Sequence, residues 1–226
     1  MGDGPPADAD PLRRRLAEHV APVQDELAAA HEAREAALPA CRRAIRAAGS
    51  SIRAVHRLEP ERARALAEES EAAIREAQAV LAPYPAVAHA GFLHDAEKEF
   101  VEARLVAVLV ADADDVPGPE ALGVAATSWM KGLAEAASEL RRHLLDRLRA
   151  GDLDAGERLL ARMDDCYDAL VVVDFPDALT GGLRRTLDAL RAVLERTRGD
   201  VTTTVLQTRL QRALEDHPAP GRVTGA

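Results

Sequence analysis

His94-Asp-Ala-Glu-Lys-Glu-Phe-Val-Glu-Ala-Arg-Leu-Val-Ala-Val-Leu-Val-Ala111 is the stretch that decides the fold. From Phe100 onward it is apolar almost all round, the pattern of a helix buried in a helical core. Glu99 and Glu102 stand at its entrance, three residues apart and so on one face, and that face continues as Val106 and Leu109. Burying carboxylates is costly unless they are paired or bound to a metal. The stretch therefore predicts a counter-charge, either a metal ion or an Arg. The competing reading places both acids at the rim of the core, in water.

The flanking chain repeats the helical theme. Asp10-Pro11 is an N-cap followed by Pro at the first helical position. A helical pattern then runs to about Leu58, with interruptions expected at Pro22, Pro39 and Gly49. Glu59-Pro60 opens a second helix through Leu81, and Pro83 and Pro85 bracket a turn before the central helix, about residues 86–113. A fourth helix is expected over 123–150, stopped by Gly151, with the apolar seam Trp129, Leu133, Ala137, Leu140 and Leu144. Asp152 caps a fifth, to about Val171. A sixth runs from Leu183 to about Arg198, with the seam Leu183, Leu187, Leu190 and Leu194, and a last piece, 203–214, continues beyond Gly199. The prediction is an all-α, single-domain bundle of six to seven helices over residues 10–215, with residues 1–9 disordered and 216–226 a flexible tail.

Composition agrees and narrows the function classes. The chain has 226 residues, 47% hydrophobic and only 3% aromatic, with no strand-like alternation, which suits a globular helical protein. The formal net charge is −9, so a role with nucleic acid must rest on a local basic patch. Cys41 and Cys166 form no CxxC pair, giving neither a zinc cage nor a disulfide framework, and both read as core residues in a reduced, cytoplasmic compartment. The start carries no basic and apolar signal-peptide pattern. The run Leu105–Ala111 is too short to span a bilayer, so no membrane is expected.

Two further constellations carry chemistry. Glu135 and Glu139 lie four apart on one face of the fourth helix, away from its apolar seam. Taken alone they read as a solvated face. Joined to Glu99 and Glu102 they make two carboxylate pairs on two helices, able to hold a hard divalent cation such as Mg²⁺ or Mn²⁺. No Glu-x-x-His motif occurs, which disfavours a ferritin-like di-iron site. The second constellation is basic. Arg42, Arg46, Arg53 and Arg57 share one helical face, flanked by Arg43, and no acid occurs from Arg42 to Arg57. The stripe is roughly 22 Å long, enough for several nucleotides of a single strand. An ordinary Arg-rich polar face is the alternative. His56 could add to the stripe; the seven histidines show no zincin spacing. Gly181-Gly182 is a turn, with no Lys-Ser/Thr to make it a phosphate loop.

Several segments resemble the translin/TRAX family. Lys98-Glu-Phe-Val-Glu-Ala103 is similar to the Gln-Glu-Tyr-Val-Glu-Ala segment of TRAX. Trp129-Met-Lys-Gly-Leu-Ala-Glu-Ala-Ala-Ser-Glu-Leu140 is similar to a Tyr-Leu-x-Gly-(x)₆-Glu-Leu segment of translin and TRAX. Leu148-Arg-Ala-Gly-Asp152 falls at the family's Asn-Ser-Val-x-x-Gly-Asp, and Arg198-Gly199 at its C-terminal Arg-Gly. The similarity covers about residues 40–200; most of the family's tyrosines are missing.

The resemblance implies an all-helical chain that assembles into a homo-oligomeric, octameric shell and binds single-stranded RNA or DNA. It also implies Mg²⁺-dependent endoribonuclease activity of the TRAX kind. By it, Glu99, Glu102 and Glu135 are catalytic, Glu135 standing where TRAX has Asp. With Glu139 they hold Mg²⁺ or Mn²⁺, while Arg42, Arg43, Arg46, Arg53 and Arg57 fall at translin's basic, nucleic-acid-binding segment. Translin lacks the first carboxylate pair, so this chain resembles an archaeal-type translin homologue with TRAX-like carboxylates. The rivals are a non-catalytic strand-binding protein, an all-α nucleotide pyrophosphohydrolase, which also uses Glu-x-x-Glu and a second acidic pair, and a ligand-free helical scaffold.

Overall fold

A computed structural model describes residues 10–216, so the expectations for residues 1–9 and for the tail beyond 216 lie outside the described residues. Among the described residues every regular element is helical. α1 (Pro11–His56) begins where the Asp10 carboxylate accepts from Leu12 N at 3.2 Å. It runs 46 residues through both Pro22 and Pro39, so the expected interruptions do not occur. Each Pro removes one backbone donor, yet the helical stretches on either side are long enough to carry the ladder across the gap.

The first half of α1 projects: residues 10–28 are all exposed. From Ala33 on, a stripe of Ala37, Ala40, Cys41, Ala44, Ala48 and Ile52 is buried against α2 (Pro60–Leu81) and the central helix. These small side chains let the backbones of α1 and α2 approach closely. Two buried serines join them, Ser51 Oγ donating to the Ala63 carbonyl at 2.7 Å and Ser70 Oγ to the Ala44 carbonyl at 2.9 Å.

The helix expected over 86–113 is two elements. A single turn, α3 (Pro85–Ala88), is followed by α4 (Phe92–Val110), and Gly91 between them takes φ +104°, which a side chain would resist. α4 packs against α1, α2, α6 and α7, and Phe100, Val101, Leu105 and Val106 are fully buried. Each such side chain contributes about 1.5–3 kcal/mol of burial.

A turn, α5 (Pro119–Leu122), leads to α6 (Ala126–Arg149), which buries Leu133, Ala137, Leu140 and Leu144 as the seam predicts. Trp129, at the end of that seam, is half-buried and donates to the Pro117 carbonyl at 2.9 Å. α7 (Leu153–Val171) is capped by Asp152, whose carboxylate accepts from Ala155 N at 3.0 Å. After the turn α8 (Asp177–Thr180), α9 (Leu183–Glu215) continues unbroken through Gly199, with Leu183, Leu187, Leu190 and Leu194 buried. The three single-turn elements bring the helices among the described residues to nine where six or seven were expected. No helix among the described residues is long and apolar enough to cross a membrane.

Candidate metal centre

Three of the predicted carboxylates meet. Glu99 and Glu102, one turn apart on α4, and Glu135 on α6 each offer an oxygen, and these oxygens all lie within 4.8 Å of one another. The close approach of the two helices rests on Gly132, one turn before Glu135, where a Cβ would stand 2.8 Å from the Lys98 carbonyl oxygen. All three acids are partly buried, so their mutual repulsion is poorly screened.

The counter-charge that α4 demands is present, and it is a lysine. Lys98 Nζ lies 2.5 Å from Glu135 Oε2 and 3.1 Å from Glu99 Oε1, with the side chain only 16% exposed. Burial works against the ammonium, but bonding to Glu135 and Glu99 outweighs it and raises the pKa of Lys98. Glu102 has no such partner. Burial first, then the charges of Glu99 and Glu135, push its carboxyl up to about 8. Burial and its acidic neighbours thus favour the protonated form of Glu102.

The most deeply buried acid of α4 is another one, Glu97, at 3% exposure. It accepts from Gln78 Nε2 at 2.8 Å and from Ala125 N at 3.1 Å, locking the start of α6 to α2 and α4. The desolvation argument made for Glu99 and Glu102 applies in full to this neighbour, which is satisfied by hydrogen bonds.

Glu139 stands outside the converging three. Its Oε1 is 2.7 Å from His56 Nε2, and the His56 ring is 4% exposed at the C-terminal end of α1. His56 thus turns inward and does not extend the basic stripe. Its Nδ1 is buried without a hydrogen-bond partner. His143 lies next to it, ring centroids 6.4 Å apart, with its pKa lowered by burial and then by Arg147 and His56.

The chain as a whole is similar to known proteins. No protein-family model matches the sequence. An uncharacterized protein of Methanocaldococcus jannaschii is 31% identical over 126 residues, 55% of this chain and 56% of that protein; the match spans a little over half of its length. The crystal structure of AfC3PO covers 85% of this chain and 98% of its own at TM-score 0.73 and 28% identity. The same protein in its complex with duplex RNA gives 0.72 and 29%, over 85% and 97%. The chain is thus similar in fold, and at 28–29% identity in sequence, to C3PO of the translin/TRAX kind. Apo-NeC3PO, at 18% identity, shares the fold: TM-score 0.72 over 90% of this chain and 100% of that one.

The basic stripe lies on α1, which packs against the helix that carries Glu99 and Glu102. Arg42, Arg46, Arg53 and Arg57 are exposed on α1, while Arg43 is half-buried and paired with Glu76. Arg53 donates to Ser50 Oγ at 2.8 Å. On the inward-facing side of the same helix Ala48 and Ile52 pack against Ala103, the residue after Glu102, and His56 reaches Glu139. The stripe and the acids thus share the α1–α4–α6 junction. Cys41 and Cys166 are buried free thiols, pushed up to about 11 chiefly by burial, in keeping with core positions.

Large apolar side chains also stand in water. Leu12, Leu16, Val20, Val23 and Leu27 line one face of the projecting arm of α1, Val172, Phe175 and Leu179 follow α7, and Leu206, Leu210 and Leu214 line the end of α9. Patches on this scale mark contact surfaces.

Proposed function

We propose that this chain binds RNA and cleaves it as a divalent-metal-dependent endoribonuclease of the translin/TRAX kind. The observation that carries the reading is the convergence of Glu99, Glu102 and Glu135 from two helices, in a fold shared with C3PO.

The donor set fits a hard cation. Three carboxylates and no thiol or imidazole suit Mg²⁺ or Mn²⁺. When bound, such an ion supplies Lewis-acid stabilisation of charge on a phosphate oxygen and a more acidic water. The residues do the rest. Glu99, Glu102 and Glu135 would hold the ion, Glu102 in its ionised form. Glu139, held by His56, is the fourth acid at the edge of the centre. Arg42, Arg46, Arg53 and Arg57 engage successive phosphates, with Arg43 at the flank, so binding weakens steeply with salt. One C3PO relative is known in complex with duplex RNA; the single-stranded preference proposed here rests on the length of the stripe and the family resemblance.

The exposed apolar faces of α1 and α9 support self-association, and the resemblance suggests an octameric shell with the acids facing inward.

A non-catalytic strand binder is the second reading, favoured by the way Lys98 neutralises Glu99 and Glu135. Labelled single-stranded and duplex RNA, incubated with the protein in Mg²⁺ or in EDTA, separates the two. Loss of RNA in Mg²⁺ alone supports the nuclease. A gel shift without loss supports the binder, and neither binding nor loss refutes both.

A further inference from the structure

Lys98 is paired with two of the three acids that converge. Its ammonium touches Glu135 at 2.5 Å and Glu99 at 3.1 Å. Its charge is shielded from water and satisfied by these carboxylates. Arginine supplies nearly all the positive charge of this chain, and Lys98 and Lys131 are the only lysines among 29 basic residues. The difference matters at this spot. An ammonium is a compact point charge on a flexible stem that fits between converging carboxylates, whereas a planar guanidinium needs a wider, two-pronged partner. Lys131, on the same helix as Glu135, points elsewhere and donates to the Gly181 carbonyl at 3.3 Å.

We propose that Lys98 is a tethered cation that competes with the divalent ion for Glu99 and Glu135. It holds the three acids together when no ion is bound and lowers the affinity of the centre for one. The inference rests on reading the cluster as a metal centre. An ammonium and a divalent ion repel one another and draw on the same carboxylates, so ion binding weakens both Lys98 pairs and brings like charges together in a partly desolvated site. Removing the ammonium takes away that opposition and leaves the carboxylates repelling one another until an ion arrives.

The test is Mn²⁺ binding by calorimetry at pH 7.5 and low salt, with Mg²⁺ as competitor, on the full chain. Wild type is compared with Lys98→Gln, with Lys98→Met, which keeps the apolar stem, and with Lys131→Gln, which removes the same charge elsewhere. Both Lys98 variants should bind Mn²⁺ about tenfold tighter than wild type, and Lys131→Gln should match wild type. Without ion, the Lys98 variants should melt lower than wild type and recover more on Mn²⁺ addition. If wild type binds saturably and the Lys98 variants bind equally or more weakly, the competition is refuted and the metal centre stands. If all the chains are folded by circular dichroism and none binds Mn²⁺ saturably, the centre and the competition both fall.

Discussion

Gly132 of α6 lies directly against Val101 of α4: a Cβ on Gly132 would stand 2.6 Å from Val101 Cγ1. The contact sets the separation of the two helices one turn from Glu135. Val101 is fully buried and the neighbouring Lys98 carbonyl is backbone, so neither can yield cheaply.

Gly132→Ala should therefore push the helices apart. The expected cost is about 1–3 kcal/mol of stability, the usual penalty for overpacking a tight core. It should also separate Glu135 from Glu99 and Glu102 and weaken Mn²⁺ binding. Chemical denaturation and calorimetry check both; unchanged stability would show that the helix contact is soft.

Glu102 makes the metal-free protein sensitive to alkali. Its carboxyl is raised from an ordinary value near 4.5 to about 8 in the folded chain. Below pH 4.5 both folded and unfolded chains hold the proton, and stability is unaffected. Between 4.5 and 8 only the folded chain keeps it, so this group lowers stability as pH rises, and the loss is complete above 8. Melting in EDTA from pH 5 to 9 should show that fall, and Glu102→Gln should flatten it, raising Tm at pH 8.5 by roughly 5 °C. Parallel curves for the two proteins would remove Glu102 as the cause.

Glu97 gives a control within the same helix. Glu97→Ala leaves Gln78 Nε2 and Ala125 N without their acceptor and should cost about 2–3 kcal/mol. Its carboxylate turns toward the start of α6, so Mn²⁺ affinity should hold in the folded fraction. Loss of Mn²⁺ binding at full stability would assign Glu97 to the centre.

The α1 arm tests the assembly. Leu16→Glu together with Val23→Glu puts two charges on its apolar stripe. Light scattering should show a smaller particle at equal helicity; an unchanged mass would show that the stripe is not an interface.

Much of this was legible in the residues. Asp10-Pro11 and Asp152 mark helix starts because a side-chain acceptor beside a free N–H is a local property. The leucine seams of α6 and α9 were readable for the same reason, since period alone decides them. The meeting of Glu135 with Glu99 and Glu102 was one of two readings the spacing allowed, the other being a solvated face, because spacing along one helix does not say which helix lies opposite. Lys98, Glu97 and His56 escaped because their partners are remote. Lys98 reaches Glu135 37 positions away, Glu97 bonds a backbone amide 28 away, and His56 meets Glu139 83 away. Pro22 and Pro39 misled in the other direction, since long helices override a single poor residue, whereas Gly91 broke a helix that its apolar neighbours extended in the sequence.

The most direct measurement is cleavage of end-labelled single-stranded RNA in Mg²⁺ by wild type, Glu102→Ala and Glu135→Ala at matched particle mass and RNA affinity. Wild type should cleave, EDTA should stop it, and each variant should lose about a hundredfold or more in rate while still binding the strand. Variants that bind and cleave as fast as wild type would contradict the carboxylate centre as the seat of the reaction.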